Sequence, residues 1–227
     1  MAAGYLRTLL PHLLVTLVWF AALFAGAGTL HWGRGLIYLV ASLIAIISID
    51  AFVRRRNPVV LEERAKLRGK NTEGFDKALL GILFLTHFAQ AVIAGLDAVR
   101  FRWSSVPFGA VYAGLLFFTL SSVLVAWTLS INPHAESTVR IQTERDHKVI
   151  SAGPYKFVRH PMYFGIVLGY IGGPLILGSL WALGLSGVMI AIFAVRTALE
   201  DQALRRDLPG YEEYTKRTRY RLIPGAW

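Results

Sequence analysis

The fold is decided by residues 160–195, which read HPMYFGIVLGYIGGPLILGSLWALGLSGVMIAIFAV and contain no Asp, Glu, Lys or Arg. As one helix, these 36 residues would extend about 54 Å, nearly twice the roughly 30 Å hydrocarbon core of a bilayer. The run therefore has to fold back. Its middle falls at Gly178, which predicts a tight turn between two short helices at 162–177 and 180–195. A bend at Gly172-Gly173-Pro174 is the alternative.

Four more uncharged runs precede this one, and each can hold one membrane-spanning helix. They are Thr8 to Gly33, Gly35 to Ile49, Ala78 to Leu96 and Trp103 to Ala135. The first is too long for a signal peptide and lacks the usual small-residue cleavage site, so we interpret it as a true span. The sequence thus predicts an all-α integral membrane protein with about six transmembrane helices, of which the last two form a short hairpin.

The composition supports a membrane protein and excludes several other classes. Charged residues are 17% of the chain, against about 25% in an ordinary soluble domain. The formal charge of +10 does not indicate a nucleic-acid partner, because such proteins lack uncharged runs of bilayer length. The chain has no Cys, which excludes thiolate metal sites and Cys nucleophiles, and its His residues lack metal-ligand spacing. We expect neither nucleic acid nor a metal as partner.

The distribution of Lys and Arg predicts the orientation of the spans. With six crossings and a cytoplasmic N-terminus, 21 of the 24 Lys and Arg residues fall in segments on the cytoplasmic side. Only Arg34, Arg100 and Arg102 lie on the other side. We therefore expect a multi-pass protein with both termini in the cytoplasm, in a bacterial cytoplasmic membrane.

The charged segments suggest two regions of different character. Residues 1–130 hold the first four spans and a basic interfacial segment at 54–77, where we expect a short helix ending at Gly69. That segment either anchors the chain to anionic headgroups or covers a substrate. Residues 131–227 are predicted to be a catalytic core with a cytoplasm-facing loop, the hairpin at 161–195 and a C-terminal cytoplasmic segment.

The Arg159-His160-Pro161 corner before the hairpin has the features of an anion site. Pro161 suits the first helical position, and His160 is biased toward an extended conformation because a proline follows it. Free backbone N–H groups and the helix dipole favour an anion at such a helix start, and Arg159 would add a planar donor. The alternative is an ordinary helix start with an arginine at the headgroups.

The other foot of the hairpin carries two acids. Residues 160 and 195 would lie at the same end of the antiparallel hairpin, so two residues face each other when their numbers add up to about 355. This places Tyr155 opposite Glu200 and His160 near Arg196. Glu200-Asp201 would then lie beside the helix start. This arrangement favours a zwitterionic or cationic ligand, unless the two acids are simply solvated on a helix that leaves the membrane.

Together these motifs resemble the isoprenylcysteine carboxyl methyltransferase family and its phospholipid methyltransferase relatives. The sequence has HKVISAGPY at 147–155, RHPMYFG at 159–165, an arginine four residues before an acidic pair, and GYEEY at 210–214 followed by Arg217. The resemblance covers about a third of the chain. It implies a membrane-embedded fold that binds S-adenosylmethionine in a pocket facing the cytoplasm. The family usually has two Glu where this chain has Glu200-Asp201.

The resemblance also implies roles for individual residues. Arg196 would contact the substrate and, with Glu200, would be catalytic. Contact with the cofactor is implied for Gln142, His147, Lys148, Val149, Ile150, Tyr155, His160, Pro161, Met162, Tyr163 and Glu200.

The implied function is methyl transfer to a lipophilic or membrane-associated acceptor, which is an isoprenylcysteine-type carboxylate, a thiol or a phospholipid amine. Arg196 would orient a carboxylate through a bidentate contact. A thiol or amine would have to lose a proton, and His160 or Glu200 would accept it. Two alternatives remain: an NADPH-dependent membrane reductase of the sterol type, and a non-catalytic membrane protein on the same scaffold.

Overall fold

The structure, a computed structural model, describes residues 2–65 and 73–227. Within these residues it consists of helices joined by loops and short turns, with no strand. The helices are α1 (Ala2–Ala27), α2 (Gly33–Arg56), α3 (Pro58–Arg64), α4 (Gly74–Gly95), α5 (Ala110–Ile131), α6 (Pro161–Leu177), α7 (Leu180–Asp207) and α8 (Tyr211–Arg217). In this part of the chain α1, α2, α4, α5 and α7 are long and apolar enough to cross a membrane, and α6 is apolar but only 17 residues long. The predicted all-α integral membrane fold is confirmed.

The predicted turn of the hairpin is present between α6 and α7. Gly178 adopts a left-handed conformation with φ of 78°, and Ser179 caps α7 by accepting a hydrogen bond from the Ala182 N–H at 3.0 Å. The alternative bend is absent, because α6 continues through Pro174. Proline leaves the carbonyl four residues earlier without its helical donor, and the Ser186 hydroxyl donates to that Tyr170 carbonyl at 2.6 Å.

The hairpin packs closely on the rest of the bundle. Helix α6 lies along α5, and a side chain at Gly172 would begin 2.7 Å from the carbonyl oxygen of Gly114. Helix α7 packs against α4, where Gln90 donates to the Ser186 hydroxyl at 2.6 Å. Because these contacts fix α6 and α7 relative to α4 and α5, they also fix the ends of those helices, where the candidate site lies.

Helix α7 is longer than expected and runs to Asp207 instead of ending near Val195. Its last turns carry the acids at 200 and 201 as a regular helix, followed by the short helix α8.

The predicted interfacial helix corresponds to α3, and its expected end at Gly69 lies outside the described residues. Val60 and Leu61 of α3 are buried against Leu129, near the end of α5, and against Ala135 in the loop that follows. The Asn57 side chain donates to the Leu129 carbonyl at 2.7 Å. Helix α3 therefore packs on the protein, next to the loop that follows α5.

Candidate functional site

A cleft opens at the end of the bundle where α5 ends and α6 begins. It is enclosed by the loop between these helices, the first turn of α6, the last turns of α7, and α8. The cleft holds about 900 Å³, including solvent at its mouth. It is lined by residues that include Asn132, His134, Thr138, Val139, Arg140, His147, Lys148, Val149, Ile150, Tyr155, Arg159, His160, Pro161, Met162, Tyr163, Glu200, Leu204, Leu208, Tyr211 and Tyr214.

The tertiary structure thus brings together most of the residues that the resemblance singles out. Those that line the cleft are His147, Lys148, Val149, Ile150, Tyr155, His160, Pro161, Met162, Tyr163 and Glu200. Gln142 and Arg196 are buried behind its walls.

The helix start at Pro161 is held by the C-terminal segment. The backbone N–H groups of Arg159 and His160 donate to the carbonyls of Tyr220 and Arg221, both at 2.9 Å. This pairing keeps His160 extended just before α6, as its position before a proline favours. Its buried Nε2 makes no hydrogen bond within the described chain, but it lies 3.6 Å from a carboxylate oxygen of Asp201, so this edge of the imidazole faces the second acid.

Glu200 forms the acidic wall of the cleft. One carboxylate oxygen accepts a short hydrogen bond from the Tyr163 hydroxyl, and the other lies 4.0 Å from His160 Nδ1. Tyr155 lines the same cleft as Glu200, but no hydrogen bond joins the two side chains. Residues 153–156 form a separate turn before α6, so the spacing of the helical hairpin does not continue back to Tyr155, whose hydroxyl accepts from Asn132 at 2.6 Å.

Asp201, the second acid, is fully buried and binds side chains from several elements of the site. It accepts two hydrogen bonds from Arg159, at 2.7 and 3.0 Å, and one from the Tyr211 hydroxyl at 3.0 Å. Arg205 and Arg221 lie 3.2 and 3.1 Å from the same carboxylate. Asp201 therefore joins α7, α8, the C-terminal segment and the helix start.

The predicted use of Arg159 as a free anion donor does not agree with these contacts. Its remaining donor, Nη1, binds the backbone carbonyls of Thr218 and Arg219 at 2.9 and 2.7 Å. Burial opposes the charge, but the hydrogen bonds and the negative charge of Asp201 raise the pKa of the Arg159 guanidinium. Arg159 thus stays charged and holds the start of α6 against Asp201 and the C-terminal segment.

Arg196 has a partner that the sequence does not reveal. Its Nε and Nη2 lie 2.6 and 3.2 Å from the carboxylate oxygens of Asp76, in the first turn of α4. Nη2 also donates to the Ser137 carbonyl at 2.9 Å, and the guanidinium lies 5.0 Å from the centre of the Tyr163 ring. Arg196 thus contacts the cleft wall from behind, and its bidentate edge binds Asp76.

Gln142 supports the cleft from behind. Its side chain donates to the His134 carbonyl at 2.8 Å and accepts from Arg145 at 2.6 Å. The rings of His134 and His147 stack 4.4 Å apart. Burial lowers the pKa of His147 to about 4 and lowers that of His134 as well, so both imidazoles line the cleft in the neutral form at pH 7.

Asp76 and His134 are absent from the residues singled out by sequence. Asp76 lies in the N-terminal region, where no motif was recognised, and His134 precedes the matching segment that begins at His147. The sequence did contain a signal for His134: two polar residues, Asn132 and His134, follow directly after a long apolar run. Among the described residues, no group of three or more His, Cys, Asp or Glu side chains is placed to hold a metal ion.

Comparison with known proteins gives one family. Residues 110–208 match the family model described as phospholipid methyltransferase, from the start of α5 to the residue after α7. No curated protein shows a significant match to the chain. The family match confirms the resemblance inferred from the motifs, and it includes the loop, the helix start and Glu200. Over residues 110–208 the chain is therefore similar to the phospholipid methyltransferase family, which indicates a methyltransferase of the membrane.

Proposed function

We propose that the protein transfers a methyl group from S-adenosylmethionine to a lipophilic or membrane-associated acceptor. The observation that carries this proposal is the cleft itself. A helix start, a partly exposed carboxylate and two tyrosines converge there within the segment that matches a methyltransferase family. The acceptor's reacting group is a carboxylate, a thiol or an amine.

The residues around the cleft suit the chemical groups of this cofactor. The N–H groups of Met162 and Tyr163 lie in the first turn of α6, where helical N–H groups lack intrahelical acceptors and favour a carboxylate. The Glu200 carboxylate suits a positively charged sulfonium. Val149 and Ile150 provide apolar surface for the adenine.

The cofactor supplies a methyl group on a positively charged sulfur, which leaves by in-line displacement. The protein mainly has to position the acceptor and exclude water. Glu200 and His160 are the groups placed to take a proton from an amine or thiol. Arg196 would act on the acceptor only indirectly, by holding the Tyr163 wall from behind, because its bidentate edge binds Asp76.

Cofactor binding tests the proposal directly. Titration of the purified protein in detergent with S-adenosylmethionine and S-adenosylhomocysteine should show binding, whereas NADPH should show none. His160→Ala and Glu200→Ala should each weaken binding by about tenfold or more, since charged hydrogen bonds typically contribute more than 1.4 kcal/mol. Glu213→Ala, which removes only an exposed ion pair with Lys216, is the matched control. Wild-type affinity in both cleft variants would place the cofactor elsewhere.

Methyl transfer is tested in the same preparations. The protein is incubated with methyl-labelled cofactor and with lipid or thiol extracts, and the products are analysed by mass spectrometry. A labelled lipophilic product that is absent with Glu200→Ala would support the function. Cofactor binding without any labelled product would instead indicate a binding protein on this scaffold.

A further inference from the structure

A cavity lies inside the helix bundle, away from the candidate cleft. It is lined by α1, α2, α4, α5 and α6 and holds about 530 Å³, including the space at its mouth. The first four of these helices are long and apolar enough to cross a membrane, so the cavity lies at membrane depth. It shares no lining residue with the cleft. The Phe193 ring packs against both walls, with its centre 5.4 Å from that of Tyr163 in the cleft and 5.9 Å from that of Tyr170 in the cavity.

Five rings form much of the cavity wall. Trp19 stacks on His87 with ring centres 5.5 Å apart, and its indole N–H donates to the His87 backbone carbonyl at 2.9 Å. Tyr38 makes edge contacts with Trp19 and Phe118, at 5.7 and 5.4 Å between ring centres. Tyr170 meets the edge of His87 at 6.1 Å. Because these rings hold one another in place, the wall is formed in advance, and it suits a ligand with a flat ring.

Three polar groups on this wall have no hydrogen-bond partner among the described residues. One is the buried Nδ1 of His87, and the others are the hydroxyls of Tyr38 and Tyr170. The Tyr38 hydroxyl points inward, because an added Cβ at Gly173 of α6 would lie 2.8 Å from it. Polar groups at membrane depth are costly without a partner. Since both hydroxyls can donate, a ligand with acceptor oxygens would satisfy them.

The cavity continues toward the lipid between α1, α2 and α5. A second cavity of about 730 Å³ shares four of the five rings with the first, all except that of Tyr170. Its remaining wall consists of aliphatic side chains, among them Val15, Ile46 and Val125, and a few hydroxyls. Val15 is 49% exposed on the surface of α1, which faces hydrocarbon at this depth. A lipid can therefore enter sideways and leave its tail in this outer cavity.

The charge of the surroundings restricts the ligand further. Within the described residues, neither cavity is lined by Asp, Glu, Lys or Arg. An unpaired charge at membrane depth is unfavourable. The ligand should therefore be uncharged, which distinguishes it from the charged cofactor proposed for the cleft.

We propose that the two joined cavities bind an uncharged cyclic lipid whose ring carries carbonyl oxygens, the chemistry of a membrane quinone. Its ring lies among the aromatic side chains of the inner cavity, its carbonyl oxygens accept hydrogen bonds from Tyr38 and Tyr170, and its tail lies in the outer cavity. Because this site is separate from the cleft, the inference does not rest on the proposed methyl transfer.

Quenching of tryptophan fluorescence by decylubiquinone tests this site, since Trp19 lies in its wall. The proteins are the wild type, Tyr38→Phe, Tyr170→Phe and His87→Phe, all in detergent. Each variant removes one polar group and keeps an aromatic ring. Tyr112→Phe is the matched control, because that tyrosine is 70% exposed on the surface of α5. Decylbenzene, which has the same tail on a ring without carbonyls, is the control ligand.

The wild type should show saturable quenching. Each cavity variant should weaken the apparent affinity by about fivefold, the usual effect of one hydrogen bond, and Tyr112→Phe should match the wild type. Trp19→Phe should lose the saturable part of the quenching. An excess of decylbenzene should not displace the quinone, because it offers no acceptor oxygen.

Four results would overturn the inference: no saturable quenching of the wild type, saturable quenching that persists in Trp19→Phe, wild-type affinity in all three cavity variants, or displacement by decylbenzene. The last would show that the cavity takes apolar chains without recognising a polar ring. Thermal unfolding, followed by circular dichroism, identifies any variant that fails to fold. If Tyr38→Phe failed to fold, His87→Phe would carry the test, since it retains the backbone carbonyl that binds Trp19.

Discussion

At the scale of single residues, the site depends on buried charges that are all paired. Asp201 has no exposed surface, yet it remains compatible with a packed interior because Arg159 and Tyr211 satisfy its oxygens. An unpaired carboxylate at this position would be far more costly than a neutral group. Glu200, one residue earlier, faces the cleft instead, because adjacent helical residues point about 100° apart. The two neighbouring acids thus have different tasks.

Removal of the Asp201 side chain should therefore lower the stability of the fold. Asp201→Ala leaves the Arg159 guanidinium buried without its partner, and we expect a loss of about 3 to 5 kcal/mol in stability. Thermal unfolding in detergent, followed by circular dichroism, measures this loss. Glu213→Ala removes only a solvent-exposed ion pair, so its transition should coincide with that of the wild type. Equal transitions in the two variants would contradict the bracing role of Asp201.

His147 predicts a dependence of stability on pH. Its pKa is about 4 in the folded protein because burial disfavours the charged form, against about 6.5 in an unfolded chain. Between these values the unfolded state binds more protons, so stability falls as the pH decreases from about 6.5 toward 4. Unfolding temperatures measured at pH 7.5 and pH 5 should show a smaller decrease for His147→Asn than for the wild type. An equal decrease would show that other groups carry the acid sensitivity.

At the scale of elements, the close packing of α5 on α6 positions the helix start. The contact relies on the absence of a side chain at Gly172, where an added Cβ would lie 2.7 Å from the Gly114 carbonyl oxygen and 2.8 Å from the Phe118 nitrogen. Backbone atoms on both helices would have to separate to admit it. Because α6 begins at Pro161, such a separation would also move the wall of the cleft.

Gly172→Ala should therefore destabilise the protein by about 1 to 3 kcal/mol, as overpacking of a core does. The matched control is Gly184→Ala in α7, which has open space around the added methyl group and should be neutral or slightly stabilising, because Ala favours a helix over Gly. Both are compared by thermal unfolding in detergent. Cofactor affinity, measured alongside, should fall only for Gly172→Ala.

At the scale of the whole molecule, the uneven distribution of Lys and Arg predicts the orientation. Of 24 such residues, 21 fall in segments assigned to one side when the helices are taken as six crossings. A reporter that is active only in the cytoplasm, fused after Trp227, should therefore give a signal, and so should one fused before Met1. A silent cytoplasmic reporter together with an active external one would reverse the orientation. Opposite results at the two ends would mean that one helix does not cross.

The sequence by itself determined the helical membrane fold and the position of the hairpin turn, because apolar runs of bilayer length and a central glycine are local properties. It also marked ten of the residues that line the cleft, since the resemblance lies in consecutive motifs around Pro161. The tertiary structure alone decided the partners of the buried charges. Asp76 meets Arg196 across 120 residues of sequence and Arg159 meets Asp201 across 42, and no local pattern encodes which distant carboxylate a guanidinium reaches. Such pairs form because helix packing excludes water from both charges, and only the assembled bundle sets that geometry.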